Sequence, residues 1–204
     1  MFKKTIMTIK LTIYSDYICP WCYVGQGVVE RLKTEYPVEV DWQPFYLRPD
    51  TPPEGMDLPE HIRQHAARTT ERLRQTARSY GMEFVHVQRF FNTRRAHEAT
   101  EFAREQGRSE EFHRAVFHQV YGLGQDISTW EVLRAAAAET GLDADAMQKA
   151  VESGKYTTLV QSQIARARAL GITGVPMYVF NDRYGIVGMQ PYPVFQQAIA
   201  RLTT

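Results

Sequence analysis

Cysteine is scarce in this chain: its 204 residues hold two, Cys19 and Cys22. They can form one intramolecular disulfide, closing a loop too small to staple a fold, so a disulfide scaffold is excluded. Charge of one sign is also lacking, and a net charge of +1 gives no field to gather nucleic acid or an anionic membrane. No apolar run approaches the roughly 20 residues of a membrane span. Internal repeats and low-complexity segments are absent. The opening Met1-Phe2-Lys3-Lys4-Thr5-Ile6-Met7 starts like a leader with two lysines. Its apolar part is too short, however, the following residues read as a strand, and Met7 could itself be the start. The expectation is a cytoplasmic protein without nucleic-acid or membrane partners.

The composition that remains is that of a globular domain, 44% apolar and 23% charged. Residues 8–15 have strand character. From Tyr23 to Tyr36, apolar residues at Val24, Val28, Leu32 and Tyr36 mark one helix face, and Pro37 ends it. Val38-Glu39-Val40-Asp41-Trp42 reads as a second strand, and the proline-rich stretch from Arg48 to Pro53 as a boundary. Between about 57 and 171 the signals are helical, five or six helices in all. Asp57-x-x-Glu60 and Ser128-x-x-Glu131 look like capping boxes, and Gly81, Gly107, Gly141, Gly154 and Gly171 stand where helices should stop. Strands return at 175–180 and 184–188 around Asn181-Asp182-Arg183, and a last helix runs from about Pro193 to Leu202. The outline is α/β: residues 8–56 as one half of a domain, 57–171 as an inserted helical domain, 172–204 as the second half.

Both cysteines lie in one motif, Cys19-Pro20-Trp21-Cys22, between the first strand and the first helix. Disulfide exchange needs an accessible thiolate to attack and a second thiol to resolve the mixed disulfide. A helix N-terminus offers unpaired N–H groups and partial positive charge, which favour a thiolate at Cys19. Cys19 is expected to face solvent, and Cys22, one turn in, to be shielded and to resolve. Pro20 at the first helical position loses nothing by lacking an N–H. Trp21 brings no proton or charge of its own. The competing use of such a pair is half a zinc site, with His61 and His65 at i and i+4 as the other half. That site would need 38 intervening residues to fold back, far beyond zinc-finger spacing. No metal is therefore expected.

Other residues carry weaker signals. Asp16, three residues before Cys19, could shuttle a proton or tune the thiol, or satisfy loop amides. Asn92-Thr93-Arg94-Arg95 reads as a helix start with Asn92 or Thr93 as cap. His97 and Gln190 could line a cleft or serve structure alone. The arginines between Arg63 and Arg78 read as a solvated face, without the aromatic interleaving of a nucleic-acid surface.

With Ser15-Asp16 through Cys22-Tyr23-Val24-Gly25, then Asn92-Thr93 with Ala96-His97, Gly171-Ile172-Thr173-Gly174-Val175-Pro176 and Gly188-Met189-Gln190-Pro191, the chain resembles the DsbA-like thioredoxin superfamily, in its cytoplasmic FrnE-like branch. The resemblance runs from about Ile9 to Leu202. It implies a thioredoxin-like fold with a large inserted all-helical domain, a nucleophilic Cys19, a resolving Cys22 and a cis-proline at Pro176. Pro20, Trp21 and Val175 are then the candidate substrate-binding residues, with Val175's backbone available to an extended peptide. Kappa-class glutathione transferases and 2-hydroxychromene-2-carboxylate isomerases share the fold, but a serine there replaces the first cysteine. The expected function is a thiol–disulfide oxidoreductase acting on protein or small-molecule thiols. It would need no cofactor beyond its own dithiol, with glutathione as a candidate co-substrate. A glutathione-dependent transferase or isomerase and a non-catalytic zinc- or peptide-binding module are the alternatives, since fold alone does not decide chemistry.

Overall fold

A computed structural model describes residues 8–202, with side chains throughout except at 65–67. The leader-like Met1–Met7 lies outside the described residues, and the side chain of His65 outside the described side chains. The chain begins with β1 (Ile9–Ser15), α1 (Pro20–Glu35) and β2 (Val38–Pro44). β1 and β2 pair in parallel, with Ile9 opposite Val38 and Ser15 opposite Pro44. The chain returns to this sheet only with β5 (Met177–Phe180) and β6 (Tyr184–Val187), followed by α8 (Tyr192–Ala200). The strand order is β2-β1-β5-β6, and both later pairings are antiparallel. Asn181 and Asp182, at φ of 47° and 54°, form the tight β5–β6 turn, in the left-handed region that short polar side chains tolerate best.

β1 is central, and only Lys10 in it is exposed. Ile9, Leu11 and Ile13 pack on one face of the sheet with Val28, Val29 and Leu32 of α1 and Phe195 and Ile199 of α8. Tyr14 packs on the other face with Phe45, Ala167 and Ile172. Thr12 and Ser15 are buried as well, so β1, whose sequence alternates apolar and polar side chains, is covered on both faces.

Between β2 and β5 lie α2 (Glu60–Ser79), α3 (Arg94–Glu105), α4 (Ser109–Phe117), α5 (Trp130–Glu139), α6 (Ala144–Glu152) and α7 (Thr157–Ala169). The inserted segment is not purely helical. Two-residue strands β3 (Met56–Asp57) and β4 (Arg89–Phe90) pair antiparallel, a contact across the whole of α2 that no local pattern announces. α4 runs into a π-helical turn at His118–Gly122. The five glycines expected as stops all sit just past helix ends, with φ between 68° and 78°, as left-handed termination requires. The capping boxes are not formed. Asp57 is in β3, the cap of α2 is Pro59, and Ser128 bonds Asp126 while Thr129 precedes α5.

Candidate active site

Helix α1 opens with Cys19 as its N-cap and Pro20 at its first position. The turn is closed by Cys19 N–H donating to the Asp16 carbonyl at 2.9 Å, and by Cys22 and Tyr23 N–H donating to the Cys19 carbonyl at 3.0 and 3.3 Å. Both thiols are free, one helical turn apart. The loop before β5 comes to the same place. The Val175–Pro176 peptide is cis, and the Val175 carbonyl accepts from Cys19 Sγ at 3.5 Å. Cys19, Cys22, Val175 and Pro176, separated by about 150 residues in sequence, thus converge. Pro20 and Trp21 border them, each partly exposed.

Cys19 does not face solvent as expected. It is 4% exposed and belongs to the same apolar cluster as Cys22, Phe117 and Tyr121. The cause is tertiary: the Val175 carbonyl and the aromatic residues of the inserted helices close over the head of α1. Cys22 is shielded as expected, at 1%. Burial, and after it the neighbouring Cys19 thiol, pushes the Cys22 thiol well above its ordinary range, so it stays protonated at neutral pH.

Asp16 is buried beneath this turn. One carboxylate oxygen accepts from Leu47 N–H at 2.7 Å, and the other lies 3.4 Å from His97 Nε2. Asp16 thus satisfies a loop amide, while His97, itself buried, is held by Asp16 and flanked by the rings of Tyr17 and Tyr46. Asn92, not Thr93, supplies the side chain at the head of α3, its Oδ1 accepting from Arg94 N–H at 3.1 Å. Gln190 is exposed and donates to the Val187 carbonyl at 2.9 Å.

Two neighbours carried no sequence signal of their own. Tyr121, in the π-helical turn after α4, packs on Tyr23 and Phe84 with centroids 5.4 and 5.7 Å away. Burial and then the Cys19 and Cys22 sulfurs push its phenol well up. Arg72, on the solvated face of α2, places its guanidinium 5.1 Å from the Trp21 ring centroid. Among the described residues no group of three or more histidine, cysteine or acidic side chains is arranged to hold a metal ion. No described helix is long and apolar enough to cross a membrane. A cleft of about 920 Å³ meets α1 at Tyr23, Gln26 and Glu30 and includes neither cysteine.

Comparison with known proteins agrees with this geometry. Over 197 residues the chain is 31% identical to the uncharacterized Bacillus subtilis protein YwbO, covering 95% of this chain and 97% of that protein. A 2-hydroxychromene-2-carboxylate isomerase from Sphingobium xenophagum is 33% identical over 82 residues, 40% of this chain and 42% of the isomerase. Among solved structures, a probable DsbA oxidoreductase from Streptomyces coelicolor superposes with a TM-score of 0.87 at 27% identity, over 95% of this chain and 89% of that one. Residues 10–200 match the DSBA-like thioredoxin domain; the chain belongs to that family.

Proposed function

We propose that the protein is a dithiol–disulfide oxidoreductase in which Cys19 attacks and Cys22 resolves. The observation that carries this reading is the pairing of two free thiols at the head of α1, one of them fully buried and held protonated. In the first step the Cys19 sulfur attacks one sulfur of a substrate disulfide, a new S–S bond forms, and the other half leaves as a thiolate. In the second, Cys22 loses its proton and attacks the Cys19 sulfur, leaving an enzyme disulfide and releasing the remaining thiolate. The reverse sequence oxidises a dithiol. Val175, whose carbonyl already faces Cys19, is the backbone against which a substrate chain would align. Pro20 and Trp21 border the approach.

The reading belongs with a reducing compartment, the cytoplasm, where a lone cysteine pair is redox-active rather than structural, and with the FrnE-like branch. Glutathione is a candidate co-substrate. Cys22→Ser should accumulate a mixed disulfide with bis(2-hydroxyethyl) disulfide or glutathione, visible as a mass adduct, while Cys19→Ser should accumulate none and lose turnover. Full disulfide turnover by Cys22→Ser would overturn the dithiol assignment. Glutathione conjugation of a model electrophile that survives in Cys22→Ser would favour the transferase or isomerase alternative.

A further inference from the structure

Against the head of α1 lies a cleft of about 490 Å³ whose lining includes neither cysteine but both chain neighbours of Cys19. Ile18 and Pro20, the residues on either side of Cys19, form one wall. Ile62 and Leu73 of α2 form the second, and Phe84 and Val87, in the extended segment before β4, the third. That segment is pinned rather than loose. Val85 N–H donates to the Tyr121 carbonyl at 2.6 Å, Leu58 N–H to the Gln88 carbonyl at 3.3 Å, and the Tyr23 hydroxyl to the Glu83 carbonyl at 2.7 Å. Three polar groups on the lining already have partners. The Thr70 hydroxyl and His86 Nδ1 are 2.9 Å apart, and Arg89 pairs with Asp57 at 3.4 Å. Tyr121 joins the cleft to the sulfurs, since it lines the cleft and packs in the same apolar cluster as both cysteines.

We propose that this cleft binds the apolar, ring-bearing portion of a small organic disulfide and presents the sulfur attached to it to Cys19. The inference rests on the dithiol reading and adds a substrate class to it. Two observations choose a small molecule over a protein. Cys19 is 4% exposed, so a disulfide on a folded surface meets little of it. The cleft is of ligand size, within the range of small-molecule pockets. An apolar cavity of about 150 Å³ already accepts a benzene ring, so there is room for a ring, its linker and the sulfur. With phenethyl 2-hydroxyethyl disulfide, the phenethyl sulfur bonds to Cys19 and 2-mercaptoethanol leaves as its thiolate. Cys22 then displaces phenethyl thiolate, so the substrate gains two electrons and the enzyme becomes a disulfide. An added dithiol, dithiothreitol in the assay, returns it to the reduced form.

The test compares kcat/KM for phenethyl 2-hydroxyethyl disulfide with that for bis(2-hydroxyethyl) disulfide, in wild type and in Val87→Glu and Ile62→Glu. The two substrates share a leaving group, so the variant-to-wild-type change in their ratio isolates the ring. Burying a ring of this size corresponds to roughly tenfold or more. The wild type should prefer the phenethyl substrate by at least that factor. Either variant should abolish the preference while leaving bis(2-hydroxyethyl) disulfide turnover within about twofold of wild type, a reference that also reports correct folding. In wild type, the unreactive thioether phenethyl methyl sulfide should compete with the phenethyl substrate, a readout that needs no variant to fold. An unchanged ratio in folded variants, an absence of competition, or insulin turned over as efficiently as the phenethyl substrate would overturn the cleft assignment alone. Failure of wild type to turn over any of these disulfides would remove the dithiol reading, and this inference with it.

Discussion

At the scale of single residues, the chemistry depends on what burial does to ionisable groups. Cys22 is kept as a thiol by the core around it, and His113 shows the same force on a base. It is buried, stacked on Trp42 with centroids 4.0 Å apart, and its Nδ1 lies 3.3 Å from Gln26 Nε2. Burial first, then the positive potential of His97 and Arg104, holds its imidazole well below the ordinary value of 6.5. The native state therefore keeps His113 neutral where the unfolded chain binds a proton. Stability should be unaffected by this group above pH 6.5 and should fall as pH drops below it, by at most about 1.4 kcal/mol per pH unit for one proton. Urea midpoints between pH 7.5 and 5 should show this slope in wild type and a shallower one in His113→Gln, whatever the offset between the two proteins. Equal slopes would mean that other groups carry the acid sensitivity.

At the scale of elements, the locally written features are the ones a reader of the sequence could find. The strand–helix–strand around the cysteine motif, the β5–β6 turn and the five glycine stops each depend on a few adjacent residues. The helix caps depended on finer competition. Ser128 matches a capping pattern, yet its hydroxyl is taken by Asp126 at 2.5 Å, while Asp143 accepts from Asp145 and Ala146 N–H at 3.0 and 2.9 Å and caps α6. Asp143→Ala should cost about 1 kcal/mol in urea unfolding, and a midpoint equal to wild type would show that the cap contributes nothing. The packing of α1 on α2 shows a second limit. Gly27 lies inside α1, and a Cβ there would lie 2.5 Å from Tyr80 Cβ, an atom fixed to the backbone. Gly27→Ala gains about 1 kcal/mol of helix propensity and should still lose on the order of 1–2 kcal/mol net through overpacking. Combining it with Tyr80→Ala should remove most of the steric part, and an additive pair would argue against the contact. The covering of Cys19 and the Asp16–His97 contact lie beyond sequence patterning for the same reason: their partners are 156 and 81 residues away.

At the scale of the whole molecule, one apolar cluster runs from Cys19, Cys22 and Val24 into Phe112, Phe117, Leu133 and Met147 of the inserted helices. The head of α1 therefore shares its core with the inserted helices rather than having one of its own. A polar seam fixes their docking. Arg104 of α3 donates to Asp41 at 2.8 Å and to the Trp42 carbonyl at 2.5 Å on β2, and to Glu101 on its own helix at 3.1 Å. Glu101 has a side chain only 4% exposed and also accepts from Gln163 of α7. Arg104→Leu removes the cation and leaves that carboxylate buried, which breaks a pair rather than replacing it. Complete burial would make the loss about 3–5 kcal/mol. Arg104 is itself 32% exposed, so a loss on the order of 2–3 kcal/mol is expected, with solvent screening the rest. Arg104→Leu/Glu101→Gln should recover part of it, because the second change removes the stranded charge. Tryptophan fluorescence and far-UV circular dichroism should nevertheless trace one urea transition in all three proteins, since the shared apolar core survives both changes. Separate transitions in wild type would show that the sheet and the inserted helices fold independently. Equal losses in the single and double variants would show that Glu101 does not depend on Arg104.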